Sequence, residues 1–357
     1  MSEIRALFAI DRHLSDEVLK RAAYRQRGRR IEWMRHAVQT LWAVVVLAIG
    51  WQFVRWVHGL EAGRIAGSRP PGVEGFLPIS GLMSLRHLAI TGEIHPVHPA
   101  ALVLVLLALV LSLLLKKAFC SWVCPLGTLS ELLLAAGRRI FRRSFALPRW
   151  LDVPLRGLKY LLLAFFVWAI FFVMSPLALA QFLDGPYNRV ADVKMLGFFA
   201  HLTPFATWFL VVVAAASLLV PLFWCRYLCP YGALLGLVSL LSPFKITRRA
   251  SSCIDCGLCA RACPARLPVD ALRRVRSAEC AGCLSCVAAC PVTSALQLEA
   301  PRGLRLRPAI ATLIVLALFL GGIGWARWSG HWRTSVGDRE YLERLPHLDQ
   351  PEYEHVR

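Results

Sequence analysis

One doubled motif constrains the 357-residue chain more than any other feature. Cys253-x2-Cys256-x2-Cys259-x3-Cys263-Pro264 recurs 27 residues later as Cys280-x2-Cys283-x2-Cys286-x3-Cys290-Pro291. Three closely spaced thiolates on a tight loop suit three corners of a cubane cluster. The fourth, opening a short helix, points away and ligates the cluster of the other motif. The proline keeps the chain off the metal. The spacing therefore predicts one [4Fe–4S] cluster on Cys253, Cys256, Cys259 and Cys290. It predicts a second on Cys280, Cys283, Cys286 and Cys263. Zinc ribbons use two CxxC pairs, without the extra cysteines and prolines, and disulfides would be reduced in a cytoplasm.

The surroundings of this module are apolar. Hydrophobic residues make up 57% of the chain and charged residues 18%, which disfavours disorder and a plain soluble enzyme. Five stretches read as membrane spans: 37–56, 100–115, 158–179, 205–224 and 309–325. The second is short at its apolar core. The first follows a basic segment and lacks a cleavage pattern, so it reads as retained. The net charge of +19 comes from 41 Lys and Arg against 22 Asp and Glu. Segment 1–36 carries nine Lys and Arg and loop 58–99 carries three. Loop 116–157 carries eight, including Lys116, Lys117, Arg138, Arg139, Arg142 and Arg143. Loop 180–204 carries two and segment 225–308 twelve. This alternation places the N-terminus, loop 116–157 and segment 225–308 in the cytoplasm and the C-terminus outside. Basic residues flank spans instead of covering one polar face, which speaks against nucleic-acid binding.

A longer repeat lies among the spans. Cys120-x3-Cys124-Pro125-x-Gly127 matches Cys225-x3-Cys229-Pro230-x-Gly232, 105 residues on. Each copy follows an apolar span and precedes an amphipathic stretch, and both fall on the predicted inner side. The repeat is therefore parallel. A lone C-x3-C suits ligation, a redox dithiol or packing. Two copies suggest that Cys120, Cys124, Cys225 and Cys229 form a third metal centre or redox dithiols near the inner membrane face. The expected fold is mainly α: a polytopic bundle of about five spans, with a cytoplasmic bacterial-type 2[4Fe–4S] ferredoxin module inserted. The divisions are a basic N-terminal segment 1–36, a four-span domain 37–244, a ferredoxin domain 245–300, a fifth span 301–326 and a periplasmic tail 327–357.

These residues, Cys120–Gly127, Cys225–Gly232, Cys253–Pro264 and Cys280–Pro291, make the chain resemble the NapH/NosR family of membrane-bound polyferredoxins over roughly 37–300. The resemblance implies quinol-linked electron transfer that supplies a periplasmic reductase or its maturation. The chain departs from the pattern in two ways. No outer flavin-binding domain precedes its spans, as one does in NosR-like proteins, and a fifth span and tail follow the ferredoxin module. Electrons could also enter from a cytoplasmic ferredoxin-like donor. The oxidase-assembly proteins FixG and CcoG look similar in plan, which leaves copper or thiol reduction during metalloenzyme maturation as an alternative. A redox sensor is a third reading, although no output domain is evident.

Outside the cysteines, loop 58–99 reads as an ordered, partly apolar hairpin carrying His87, His95 and His98. His98 or Glu93 could accept protons at a quinone pocket, but capping and interface anchoring are the preferred roles. Haem ligation by His95 and His98 is disfavoured in a Pro-flanked loop. Asp184, Tyr187 and Arg189 read as a solvated turn, Arg55 as a snorkelling residue, and Gly321-Gly-Ile-Gly324 as helix packing. No chemistry is evident in the tail.

Overall fold

A computed structural model describes residues 2–65, 67–142, 145 and 147–353, with side chains from residue 24 onward. Arg143 and the last four residues of the tail lie outside the described residues. The basic N-terminal segment and the first apolar stretch form one helix, α1 (Ser2–Glu61). A 3-10 turn, Pro71–Phe76, leads to α2 (Pro78–Thr91) and α3 (Pro99–Leu115). Next come α4 (Ala118–Trp122), α5 (Pro125–Phe141) and α6 (Arg149–Trp168), which runs into a π turn, Ala169–Val173. Then follow α7 (Pro176–Asp184), α8 (Pro186–Arg189), α9 (Ala191–Ala200) and α10 (Pro204–Leu219). A π turn, Trp224–Leu228, leads to α11 (Pro230–Val238). Eight of these and later helices open on proline, whose fixed φ and missing N–H suit the first helical turn. Ser175 and Thr203 add side-chain caps to α7 and α10.

Loop 58–99, expected to be an ordered hairpin, is built largely of helix. Three helical segments are long and apolar enough to cross a membrane: 24–61, 149–173 and α14 (Pro308–Trp328). A fourth crossing exists if α9 and α10, bent by 80°, count as one. The expected second span, α3, has only 17 residues and is apolar on every side. Its Ala100, Leu102, Ala108 and Leu111 are fully buried. A helix hydrophobic all round belongs in a bundle interior or a membrane, and α3 packs against α2, α11 and α14 while leaving Val110, Leu113 and Leu114 exposed near its end. Gly322 of α14 packs directly on Leu107, where a side chain would collide. The large apolar residues exposed on the other helices face outward, among them Leu47, Leu161, Phe172, Phe205, Val211 and Leu313. Such a belt needs lipid around it.

The helical layer carries different structures at its two ends. At one end, β1 (Lys245–Arg248), β2 (Leu296–Glu299) and β3 (Arg305–Leu306) form an antiparallel sheet in that order, pairing Lys245 with Glu299 and Leu298 with Leu306. Between β1 and β2 lie the two cysteine loops, each with one short helix, α12 (Leu258–Arg261) and α13 (Ser285–Ala288). At the other end, loop 58–99, helices α8 and α9 and the tail helix α15 (Asp338–Arg344) close over a separate apolar core of Trp56, Val57, Val97, Val190 and Tyr341.

Candidate metal centres

The two ferredoxin-like loops repeat in backbone as well as in sequence. Asp255 and Gly257 have positive φ in the first, and Gly282 and Leu284 in the second, each pair flanking the motif's second cysteine. Alternating left-handed residues curl the chain so that successive cysteines face one hollow. The short helices precede the fourth cysteine of each motif and contain the third. The expectation that the fourth cysteine opens a helix is corrected accordingly: it closes one, and the following proline ends it.

Cys253, Cys256, Cys259 and Cys290 line a single hollow together with Asp270 and Arg248. Cys286 lies within electrostatic reach of Cys280, Cys283 and Cys263, and also of Cys259. Burial pushes the thiols of Cys259, Cys280, Cys286 and Cys290 upward, and that of Cys263 to about 11. The two sets differ in exposure. Cys256 is open to solvent, whereas Cys280, Cys283 and Cys286 are buried.

The buried set abuts the helical layer. A Cβ at Gly282 would meet the Leu115 carbonyl at 2.6 Å, so only glycine fits. Trp122 Nε1 donates to the Gly282 carbonyl at 3.1 Å, and Ser121 Oγ to the Ala281 carbonyl at 2.7 Å. Glu279 reaches from the loop to Lys159 Nζ of α6 at 2.6 and 2.7 Å, with Lys117 Nζ at 3.9 Å. Arg226 donates to the Ala265 carbonyl at 2.8 Å and pairs with Asp152 at 2.9 Å.

Behind this joint the four remaining cysteines converge. Cys120 lies within electrostatic reach of Cys124, Cys225, Cys229 and Lys117. Cys124 and Cys229 occupy the N-caps of α5 and α11, each followed by proline. The Gly232 N–H donates to Cys229 Sγ at 3.2 Å. Helix N-termini favour thiolate. A Cβ at Gly127 would collide with the Cys120 carbonyl, which explains that glycine, while at Gly232 it would make ordinary contacts. Burial pushes all four thiols up, Cys124 to about 12 and Cys225 to about 11, and Lys117 draws Cys120 the other way. Cys120, Cys225, Glu131 and Glu279 line one hollow between this group and the buried loop.

No three His, Cys, Asp or Glu among the described residues close on a single metal ion. Zinc would need four sulfurs about 2.3 Å from one point. Cysteines spread around a hollow fit a larger inorganic cage, and buried cations beside them suit its negative charge.

The charged residues of the joint were not legible as site residues. Lys116 and Lys117 had read only as flanking charge. The usable signal was Lys159, the single charged residue in the apolar stretch 158–179. Of the polar outer residues, His98 is fully buried, with Nε2 donating to the Asn188 carbonyl at 2.6 Å and Nδ1 3.6 Å from Glu74. Glu93 is exposed and the two do not meet. His95 faces Asp184 at 3.5 Å and His87 ring to ring. Arg189 pairs with Glu340, and Tyr187 packs near Phe182. Arg55 lies over the Trp51 ring. The tail, read as inert, supplies Tyr341, whose hydroxyl donates to Asp192 at 3.3 Å. Asp192 and Glu74 both hold Arg69, at 2.5 and 2.9 Å.

Two family models match the chain. A 4Fe-4S binding domain matches residues 97–144 and again 202–249, the two CxxxCP repeats. A 4Fe-4S dicluster domain matches 245–291. NosR of Pseudomonas aeruginosa, named a regulatory protein, is 34% identical over 42% of this chain and 20% of its own. NapH of Escherichia coli, a ferredoxin-type protein, is 28% identical over 53% of this chain and 62% of its own. YccM of Escherichia coli, whose name assigns it to electron transport, is 46% identical over 87% of this chain and 89% of its own. The chain belongs to the NapH/NosR-type ferredoxin-like family. No solved structure matches it. Within this NapH/NosR-type chain, the matched regions contain all twelve cysteines.

Proposed function

We propose that the protein is a membrane-bound iron–sulfur electron relay with three centres. Cys253, Cys256, Cys259 and Cys290 hold the first, and Cys280, Cys283, Cys286 and Cys263 the second. Cys120, Cys124, Cys225 and Cys229 hold the third. Bound there, iron–sulfur clusters supply one-electron transfer. One observation carries the reading: the three sulfur sets run from solvent, through a buried loop, to the helical layer. The chain's own part is to space the sets, exclude water and place charge. Glu279, Lys159 and Arg226 fix the buried loop against α6 and the π turn. Lys117 sets a cation beside Cys120.

All three sets lie at one end, so a hydrocarbon core of ~30 Å separates them from the far side. A lipid-soluble quinone covers that distance. The protein then moves electrons between the quinone pool, or a cytoplasmic donor, and a periplasmic reductase or its maturation system. This orientation places the N-terminus and the sulfur sets in the cytoplasm, as basic flanking residues favour, and fits a bacterial inner membrane. Anaerobic iron and sulfide counting with EPR tests the assignment. About twelve irons per chain are expected, and about eight would remove the third centre. Adding quinol to air-protected protein should bleach cluster absorbance. No bleaching at full iron content would remove quinol as donor.

A further inference from the structure

A second opening lies on the opposite flank of the sulfur end, between the first half of α1, the ferredoxin loops and the start of α14. Its cavity has about 740 Å³ of open space. Arg27, Arg30, Arg305 and Arg307 line it, and no Asp or Glu does. None of these four guanidinium groups has a carboxylate partner among the described residues. Arg27 Nη1 is buried without a hydrogen-bond partner. Arg27 also faces Cys290, but Arg30, Arg305 and Arg307 leave an excess of positive charge around one cavity, so the site favours an anion.

The floor shows which anion. Ile31, Met34, Leu306, Pro308 and Ala309 line it. Arg307 is the residue before α14, and Arg30 stands seven residues before the apolar run of α1 begins. At 1.5 Å per residue that is about 10 Å, the level of a headgroup layer. A ligand seated here needs a phosphate for the arginines and an apolar body that continues into the bilayer. Basic pockets between membrane helices take anionic lipid headgroups.

We infer that this groove is a binding site for an anionic phospholipid, its phosphate held by Arg27, Arg30, Arg305 and Arg307. The lipid then wedges between α1 and α14 beside Leu284 and Val287, residues flanking Cys283 and Cys286. Tyr24 and Gly28 of α1 already touch the Ala289 and Ala288 carbonyls there. The bound lipid completes the joint that holds the buried cysteine loop to the helical layer.

The test uses the full chain in nanodiscs of phosphatidylcholine with a minor fraction of phosphatidylglycerol. Lipid retained after detergent extraction is counted by native mass spectrometry. Phosphatidylglycerol should be retained in preference, falling about fivefold for each of Arg30→Gln, Arg305→Gln and Arg307→Gln. Arg302→Gln, an exposed arginine outside the groove, should change nothing. Equal retention by the groove variants, an equal loss in Arg302→Gln, or full displacement by inorganic phosphate overturns the proposal. Iron content and circular dichroism confirm that each variant is folded. Should a strand variant fail there, Arg30→Gln on the helix decides alone. The readout needs no electron transfer, so it stands whether or not the relay reading does.

Discussion

At the sulfur end, Arg35, Lys116, Lys117, Lys159 and Arg226 are buried, and three carboxylates face this group: Glu131, Asp152 and Glu279. At the outer cap, Arg69 lies between Glu74 and Asp192, Tyr341 donates to the same Asp192, and the buried Arg86 donates to the Ile170 and Met174 carbonyls. Both of these guanidinium groups are held within the fold, one by carboxylates and the other by backbone carbonyls. At the sulfur end Lys116, beside Cys280, has no carboxylate partner among the described residues, and Lys117, beside Cys120, shares Glu279 with Lys159. A buried cation without a counter-charge costs several kcal/mol. Thiolate-bound clusters carry the negative charge that would compensate both. The difference teaches that the sulfur end is built for a charged guest, while the cap's buried cations all find partners inside the fold.

The strongest test of that difference compares cysteines. Cys286→Ser and Cys256→Ser should each lose about four irons per chain. Only Cys286→Ser should also lower the melting temperature markedly, because Cys286 is buried in the core shared with the helices while Cys256 is exposed. Anaerobic iron counting and thermal melts of the two variants check this. Equal melting would erase the distinction between an outer and an inner set.

Glu279→Gln should come next. It leaves fully buried Lys159 with no carboxylate, a loss of about 3–5 kcal/mol. Replacing both partners, as Lys159→Met with Glu279→Leu, should recover part of it. Asp192→Asn at the cap should cost less, about 1–3 kcal/mol, since Arg69 keeps Glu74. Denaturant melts rank the three. An equal or larger loss at the cap would reverse the comparison.

How much of this was readable from the sequence follows the same division. The ferredoxin loops were legible because a cluster dictates local spacing, and the left-handed positions at Asp255, Gly257, Gly282 and Leu284 repeat with it. Most helix starts were marked by proline. The crossing count was harder to read. Hydropathy alone does not separate α3, most of which is buried in protein, from α14, most of which faces outward. The cap was illegible because Arg69, Glu74, Asp192 and Tyr341 come from three distant segments and each is ordinary in its own. The tail seemed inert for that reason. Lys159 and Glu279 are 120 residues apart, and only the folded joint makes them partners.

Oxygen should distinguish the two ferredoxin sets. Air should bleach the visible absorbance of purified protein in two phases, the faster from the set containing exposed Cys256. Cys256→Ser should lack the fast phase and keep the slow one. A single phase in the parent protein would mean that solvent reaches both sets alike.

The smallest effect belongs to the cap and depends on pH. Burial holds the His95 imidazole below its usual 6.5, against the opposing pull of Asp184, with His87 and His98 adding repulsion. The folded chain therefore binds fewer protons than the unfolded chain in the window beneath 6.5. His95's contribution is complete above that pH and is lost as pH falls through the window. Unfolding of the parent and of His95→Gln at about pH 7.5 and about pH 5.5, on either side of the usual histidine value, measures the difference. The parent should lose more stability on acidification than the variant. Identical slopes would show that the imidazole is wet, and that the cap is looser than its buried ion network implies.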